Sequence, residues 1–186
     1  FGNDDDYADS IMQRVYDTLF RTIDGQHSPK GPTYHLNMLS TTCHVYFGKK
    51  LGATPNGRYA LLPESDGTSP SHGADRQGPT AVVKSLSKMD QVKSGGTLLN
   101  QRFLPSVLAG DDGIDALAQL IRTYFRLGGH HMQFNVVDSD TLRDAQKHPE
   151  NYRDLLVRVA GYSDYFVDLD QYHQEEIISR TAQETF

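Results

Sequence analysis

The chain has 186 residues, 37% of them hydrophobic, and carries 18 Lys and Arg against 24 Asp and Glu, a net charge of −6. That length allows a core of its own and makes one domain the default, while the acidic balance argues against nucleic acid or an anionic membrane surface as a partner. No apolar run approaches the ~20 residues of a membrane-spanning helix, a single cysteine excludes an internal disulfide framework and suits a reducing cytoplasm, and no secretory signal opens the chain.

The first residues, Phe1-Gly2-Asn3-Asp4-Asp5-Asp6, lack an initiator Met and read as the interior of something longer. Residues 4 to 24 read as a helix. Asp4, Asp5 and Asp6 sit where the helix dipole favours acids. Ile11, Val15, Leu19 and Ile23 recur at helical spacing, with Tyr16 and Phe20 widening the stripe. The acidic triplet suits a helix start better than a metal site, because consecutive carboxylates on a helix diverge. Gly25 supplies a stop, and residues 25 to 34 form a linker rich in Pro and Gly. In Asn37 to Gly48 the second half is rich in β-formers, which predicts a strand. Cys43 within it reads as a small core residue rather than a nucleophile, since no electropositive neighbour is evident beside it.

Residues 49 to 80 are dense in turn signals: Gly52-Ala53-Thr54-Pro55-Asn56-Gly57-Arg58, Ser65-Asp66-Gly67-Thr68-Ser69-Pro70, and Gly78-Pro79-Thr80-Ala81. Loops of this length inside a compact domain are functional or disordered. Neither a GxGxxG fingerprint nor a phosphate loop occurs, so a nucleotide site has no support.

A short helix is expected from Pro79 to Met89, with Pro in its first turn, then a strand from Thr97 to Phe103. Residues 112 to 127 form an amphipathic helix with Ile114, Leu117, Leu120, Ile121, Tyr124 and Phe125 on one face. His130 to Val137 reads as a strand, on which the adjacent His130 and His131 point to opposite faces and cannot share a metal. Ser139 to Lys147 reads as a helix with Ser139 as its cap. A strand over 155–160 runs into Gly161, and Asp170 to Thr181 closes as a helix. Alternation of this kind predicts an α/β sheet or barrel. The helix faces Ile11/Val15/Leu19 and Leu117/Ile121/Phe125 are expected to pack on strands at 97–103, 131–137 and 155–160.

Arg158-Val159-Ala160-Gly161-Tyr162-Ser163, followed by Gln174-Glu175-Glu176-Ile177-Ile178-Ser179-Arg180-Thr181, closely resembles the C-terminal signature of the glycyl radical enzymes. The three turn-rich blocks above resemble segments of the same family's dehydratases and lyases, so the resemblance covers nearly the whole chain. Taken alone, Gly161 is a residue for a sharp turn or a close approach. The resemblance implies that it stores a radical on its α-carbon. An electron delocalised between an amide nitrogen and a carbonyl needs a planar α-carbon, which a side chain would crowd. The loop should be buried in the working enzyme, away from solvent and oxygen.

The resemblance implies further that the fold is the C-terminal part of a ten-stranded α/β barrel over residues 1–186, with 155–186 as the glycyl radical segment. About four strands cannot close such a barrel. The family's second radical site, a cysteine beside a glutamate in the eliminating members, is expected upstream. No Cys-x-Glu occurs here and Cys43 does not match it, so this chain by itself should not turn over substrate. The resemblance also implies a separate radical S-adenosylmethionine activase with an iron–sulfur cluster, no bound cofactor, a homodimer, a cytoplasmic setting, and neither nucleic acid nor membrane as partner. Gly161 to Phe166 looks more like the eliminating branch, which includes choline trimethylamine-lyase, trans-4-hydroxyproline dehydratase and glycerol dehydratase, than like pyruvate formate-lyase. By the same resemblance the segment Met38 to Thr42 approaches the substrate pocket, with Leu39 and Thr41 as candidates. Two alternatives stay open: a pyruvate formate-lyase type of enzyme, and a stand-alone radical-carrying subunit that completes or repairs a partner.

Overall fold

The computed structural model describes residues 1–186. Its centre is a three-stranded parallel sheet in the order β2-β1-β5, with β1 spanning Leu99–Phe103, β2 Met132–Val136 and β5 Ala182–Gln183. Leu99 pairs with Met132 and Phe103 with Val136 along one side of β1, while Arg102 pairs with Ala182 and Phe103 with Gln183 along the other. All five β1 residues are buried, as a parallel strand covered on both faces requires.

The two faces of this sheet differ in chemistry because side chains alternate along a strand. Leu99 and Phe103 of β1 enter a core with Tyr16, Val82, Val83, Leu86, Met89, Leu120 and Tyr124, against which Met132 and Phe134 of β2 also pack. The helices covering this face are α1 (Asp6–Ile23), α3 (Gly78–Ser87) and α4 (Gly110–Arg126). The intervening residues, Asn100 and Arg102 of β1 and Gln133 and Asn135 of β2, take the opposite face and are no more than 7% exposed. A second apolar cluster lies beyond it: Val137, Leu142, Ala145, Val157, Val159, Phe166, Ile177 and Ile178. It joins α5 (Ser139–Lys147), β3 (Leu156–Arg158) and α6 (Gln171–Ser179).

The expected strand over 155–160 is β3, but it stands outside the parallel sheet. It pairs antiparallel with β4 (Ser163–Tyr165), and Arg158 faces Ser163 across the hairpin. Neither β4 nor β5 is foreseen from periodicity, since three and two residues carry too little pattern. The segment expected to be a strand within residues 37–48 instead holds α2 (Cys43–Gly48). Helical winding puts His44, Val45 and Gly48 inward together, where a strand would alternate them. Gly48 packs so closely that an added Cβ would lie 2.3 Å from the Leu62 carbonyl oxygen. Cys43 is exposed rather than part of the core.

The acidic triplet begins α1 as expected. The Asp5 side chain caps the helix by accepting from the Ala8 amide at 2.9 Å, and Asp4 and Asp6 pair with Lys88, each at 2.9 Å. The apolar stripe of α1 does not pack on the strands: Ile11, Val15, Leu19 and Ile23 are 37–56% exposed. The helix binds its neighbours through Asp9, which accepts from Ser85 at 3.0 Å and Lys88 at 2.7 Å, and through Tyr16, whose hydroxyl donates to the Asp90 carbonyl at 2.9 Å. On α4, Leu120 and Tyr124 are buried and Leu117 packs against the core, whereas Ile114 and Phe125 face outward. At α5 the cap is Asp138, not Ser139. Its carboxylate accepts from the Thr141 amide at 2.6 Å, a stronger acceptor for that orphan donor than a hydroxyl. No helix is long and apolar enough to cross a membrane.

Candidate functional site

Gly161 sits at the tip of the β3–β4 hairpin. Val159 and Tyr162 close a two-residue turn through a 2.9 Å bond from the Val159 amide to the Tyr162 carbonyl. Of the two central residues only Gly161 has positive φ, +90°, and a left-handed residue at the second centre of a turn is where glycine is favoured. A Cβ built on Gly161 would meet only Leu98 Cδ1, at 3.4 Å. The backbone, not crowding, therefore selects glycine here. Val159 and Ala160 are fully buried, whereas Gly161 itself is exposed in this chain.

What fixes the hairpin is the polar face of the sheet together with α6. The Val159 carbonyl accepts from Arg180 Nη2 at 2.6 Å and from Asn100 Nδ2 at 3.0 Å. The Arg158 carbonyl accepts from Arg180 Nη1 at 3.0 Å and from Asn135 Nδ2 at 2.9 Å, and the Arg158 amide donates to Asn135 Oδ1 at 2.8 Å. The Arg158 guanidinium donates to Gln133 Oε1 at 3.0 and 2.7 Å, and to Ser163 Oγ on the returning strand at 2.9 Å. Asn100 also donates to Asp66 and accepts from Gln133. Buried carbonyls left without donors would cost about 1–3 kcal/mol each, so each of these side chains meets a need that the hairpin creates.

Arg180 is held in turn by a carboxylate one helical turn back. Its Nε and Nη2 donate to the two oxygens of Glu176 at 2.9 and 2.7 Å, the planar fork-to-fork geometry that only Arg offers. Glu176 is fully buried and also lies 3.1 Å from His72 Nε2 and 3.5 Å from His44 Nε2. Burial is the largest influence on Glu176, but Arg180 and the two imidazoles outweigh it and hold the carboxyl well below its ordinary value. Burial likewise opposes the Arg180 charge, and Asp66 and Glu176 more than offset it. For Asp66, burial prevails over Arg180 and the Asn100 hydrogen bond and leaves the carboxyl above the usual range. The centre is thus a Glu176–Arg180 ion pair with Asp66 drawn toward its neutral form.

Asp66 arrives on the turn-rich block Ser65 to Pro70, which docks along the open start of β1. Thr68 donates to the Leu98 carbonyl from both its amide and its hydroxyl, each at 2.8 Å, and Ser69 Oγ accepts from the Asn100 amide at 3.0 Å. Gly67 makes this approach possible: at φ +54° an added Cβ would lie 2.4 Å from the Leu98 oxygen. Donor atoms of Asp66, His72 and Glu176 lie within 4.8 Å of one another, a spacing that could hold a metal ion. Arg180 already bonds both Glu176 oxygens and supplies the positive charge that a cation would bring, so the cluster is complete as an ion-pair network. His130 and His131 take no part in it. A cavity of about 20 Å³ between Asp66, Asp75, Asn100, Arg102 and Arg180 is large enough for one water.

Leu39 and Thr41 lie on the neighbouring segment. Leu39 is 46% exposed and packs beside Gly96. Thr41 is exposed, has φ +48°, and donates to the Ser40 carbonyl at 2.7 Å. Their segment reaches the hairpin through shared neighbours: Met38 bridges to Thr97, and the Gly67 amide donates to Ser40 Oγ at 3.0 Å. The residues that sequence reading misses are Asn100, Arg102, Gln133, Asn135 and Asp66. The available signal was the run of three polar residues in Leu-Asn-Gln-Arg-Phe and the polar alternation in Met-Gln-Phe-Asn-Val, both out of place in strands covered on both faces.

The site is thus a hairpin tipped by a left-handed glycine and held by buried charges against a partial α/β sheet. The profile of the family described as Glycine radical matches residues 64–167, over half of the chain and including Gly161, and the chain belongs to that family. A profile described as Pyruvate formate lyase-like matches residues 1–48. Trans-4-hydroxy-L-proline dehydratase of Clostridioides difficile is 55% identical over 183 residues, covering 98% of this chain and 23% of that protein. Isethionate sulfite-lyase of Bilophila wadsworthia is 44% identical over 188 residues, covering 98% and 22%. Among solved structures, hydroxyproline dehydratase from Clostridioides difficile with trans-4-hydroxy-L-proline bound superposes with a TM-score of 0.95 at 54% identity, over 99% of this chain and 23% of that one. The glycerol-bound B12-independent glycerol dehydratase of Clostridium butyricum gives 0.94 at 46%, over 99% and 24%. The chain therefore spans about a quarter of the length of these relatives, which are dehydratases and lyases, and it corresponds to a fragment of their larger fold.

Proposed function

We propose that Gly161 stores a carbon-centred radical on its α-carbon, and that the chain is the radical-bearing C-terminal part of a glycyl radical lyase that eliminates water from a small hydroxylated substrate. The observation that carries this is the left-handed turn at Gly161, inside the family match and tied by its flanking carbonyls to a buried ion pair. Abstraction of one hydrogen atom leaves a radical shared between the amide nitrogen and the carbonyl, in which the absent side chain lets both peptide planes align. A separate S-adenosylmethionine activase with an iron–sulfur cluster removes that hydrogen atom. The cysteine that passes the radical to substrate belongs to a barrel portion upstream, the working enzyme is a cytoplasmic homodimer, and residues 155–186 are its radical segment. Leu39 and Thr41 approach the substrate pocket from the segment beside Gly96 and Thr97. Elimination of water, rather than of an amine, is favoured by 55% identity to a hydroxyproline dehydratase along nearly the whole chain.

The test is anaerobic activation of the full-length protein with its activase. A doublet radical signal is expected, split by the single remaining α-hydrogen, and it should collapse to a singlet in protein labelled with α-deuterated glycine. Incubation with trans-4-hydroxy-L-proline, glycerol, 1,2-propanediol and choline, with product analysis, then separates carbon–oxygen from carbon–nitrogen cleavage. A signal unaffected by the label would overturn the radical assignment, and trimethylamine from choline without dehydration of the others would overturn the substrate class.

A further inference from the structure

We propose that Arg180 is the positioning residue of the glycine hairpin: it sets the height and tilt of the Gly161 turn over the sheet by gripping the two carbonyls that precede it. The inference rests on the reading of Gly161 as the radical site, and deepens it by naming what holds that site.

Four polar contacts of one guanidinium divide into two pairs. Nε and Nη2 bind Glu176 on the same helix at 2.9 and 2.7 Å. Nη1 and Nη2 bind the Arg158 and Val159 carbonyls at 3.0 and 2.6 Å. The guanidinium is thus a rigid spacer between the last turn of α6 and the end of β3. Arg180 is 6% exposed and Glu176 0%, so neither side chain has a solvent alternative, and an uncompensated charge there is strongly unfavourable. The grip falls next to the turn: Val159 is the first of its four residues, and Gly161 follows two positions later. Asn100 supplies a second donor to the Val159 carbonyl from the sheet at 3.0 Å, but it is short and already shared with Asp66 and Gln133. Arg180 alone ties the hairpin to a separate element, α6, with a full charge.

The direction in which the Gly161 α-hydrogens point follows from the backbone angles of a turn whose first residue is pinned this way. A radical confined to one orientation is kept for the acceptor that faces it. A turn that tilts freely exposes the radical to other donors. Lysine cannot replace the fork, because one ammonium offers three donors from a single point and cannot meet both Glu176 oxygens and two carbonyls together.

Hydrogen–deuterium exchange is measured on the unactivated full-length protein as wild type, Arg180→Lys, Arg180→Met and Arg143→Met. Arg143 pairs with Glu175 on the solvent side of α6 and does not touch the hairpin. Both Arg180 variants should speed exchange of amides at 159–166 by about tenfold or more, the scale of a lost charge-assisted hydrogen bond, with Lys the milder. Exchange in β1 and α4 should be unchanged, and Arg143→Met should match wild type. After activation the doublet should decay faster anaerobically in Arg180→Lys, and faster still in Arg180→Met. Selective loosening in Arg180→Lys supports the proposal even if Arg180→Met does not fold. Wild-type exchange at 159–166 in both variants, or loss of protection spread evenly through β1 and α4 in both, overturns it. Absence of a doublet in the wild type overturns the reading of Gly161 and leaves the exchange data to decide the role of Arg180.

Discussion

Replacing Gly161 by Ala separates what the fold asks of this position from what the chemistry asks. The φ of +90° lies in the region that L-residues avoid, and placing a Cβ there costs about 1–2 kcal/mol. Packing adds little, because the new methyl would meet only Leu98 Cδ1 at 3.4 Å, the edge of ordinary contact and the end of a flexible side chain. Against the ~5–15 kcal/mol of a typical folded protein, that loss leaves Gly161→Ala folded. The radical should nevertheless be lost, since a methyl on the α-carbon crowds the plane across which the electron is shared. Gly128→Ala is the control: its φ is +91° and an added Cβ meets nothing within 4 Å, so it carries the same backbone strain away from the hairpin. Denaturant unfolding of the full-length protein should show similar losses for the two variants, and spectroscopy after anaerobic activation should show a doublet for Gly128→Ala alone. A doublet in Gly161→Ala would refute the assignment. A much larger stability loss for Gly161→Ala than for Gly128→Ala would refute the argument that the backbone alone selects glycine.

Glu176→Gln should cost about 3–5 kcal/mol at pH 7, because it leaves Arg180 buried without its partner. Glu176 has a depressed folded value, so its contribution is present above the ordinary 4.5 and is lost as pH falls through the folded value; urea melts from pH 7 to pH 3 should show the variant and wild type converging, and a constant gap would refute the pairing. Asp66 runs the other way: its folded value is raised, so its contribution is present below the ordinary 3.8 and is lost as pH rises through the folded value. Asp66→Asn, which keeps an acceptor for Asn100 without the charge, should therefore be milder at pH 7 than Glu176→Gln in the same melts, and the reverse order would sink this account of the cluster. Air admitted after activation should add to the Gly161 radical and break the backbone there, releasing a C-terminal fragment that begins near Tyr162. Mass spectrometry of activated and unactivated samples checks this, and equal cutting in both would mean that the radical is not on Gly161.

The longer helices were legible because their signals are local. α1 and α6 begin where they are expected to, at the acidic triplet and at Asp170, with Asp5 and Asp170 as their caps, and β1 and β2 fall inside the segments expected to be strands. The errors arose where the partner is remote. A strand was expected at Cys43–Gly48 from composition, but the burial of His44 and Val45 against α6 and the tight contact of Gly48 with Leu62 favour a helix there. The stripe of Ile11, Val15 and Leu19 is genuine as a pattern, yet it faces out of this chain, because α1 is fastened through Asp9 and Tyr16 instead.

Gly161 could be singled out because one residue type carries the chemistry. Its support could not, because a clamp made of Asn100, Arg180 and a carbonyl at position 159 joins residues 59 and 21 positions apart. No residue in that set is unusual by itself. The reason for the set appears once the hairpin is laid on the sheet. This turn closes through the Val159 amide and the Tyr162 carbonyl, which leaves the Val159 carbonyl in need of another donor, and burial of Val159 removes it from water. A sheet apolar on both faces would leave the Arg158 and Val159 oxygens to Arg180 alone. Strands that place Leu99 and Phe103 on the helix side, and Asn100 and Arg102 on the hairpin side, build a core with one face and receive the turn with the other. The polar residues that look wrong for a buried parallel strand are therefore what allow a glycine turn to be held close against the sheet.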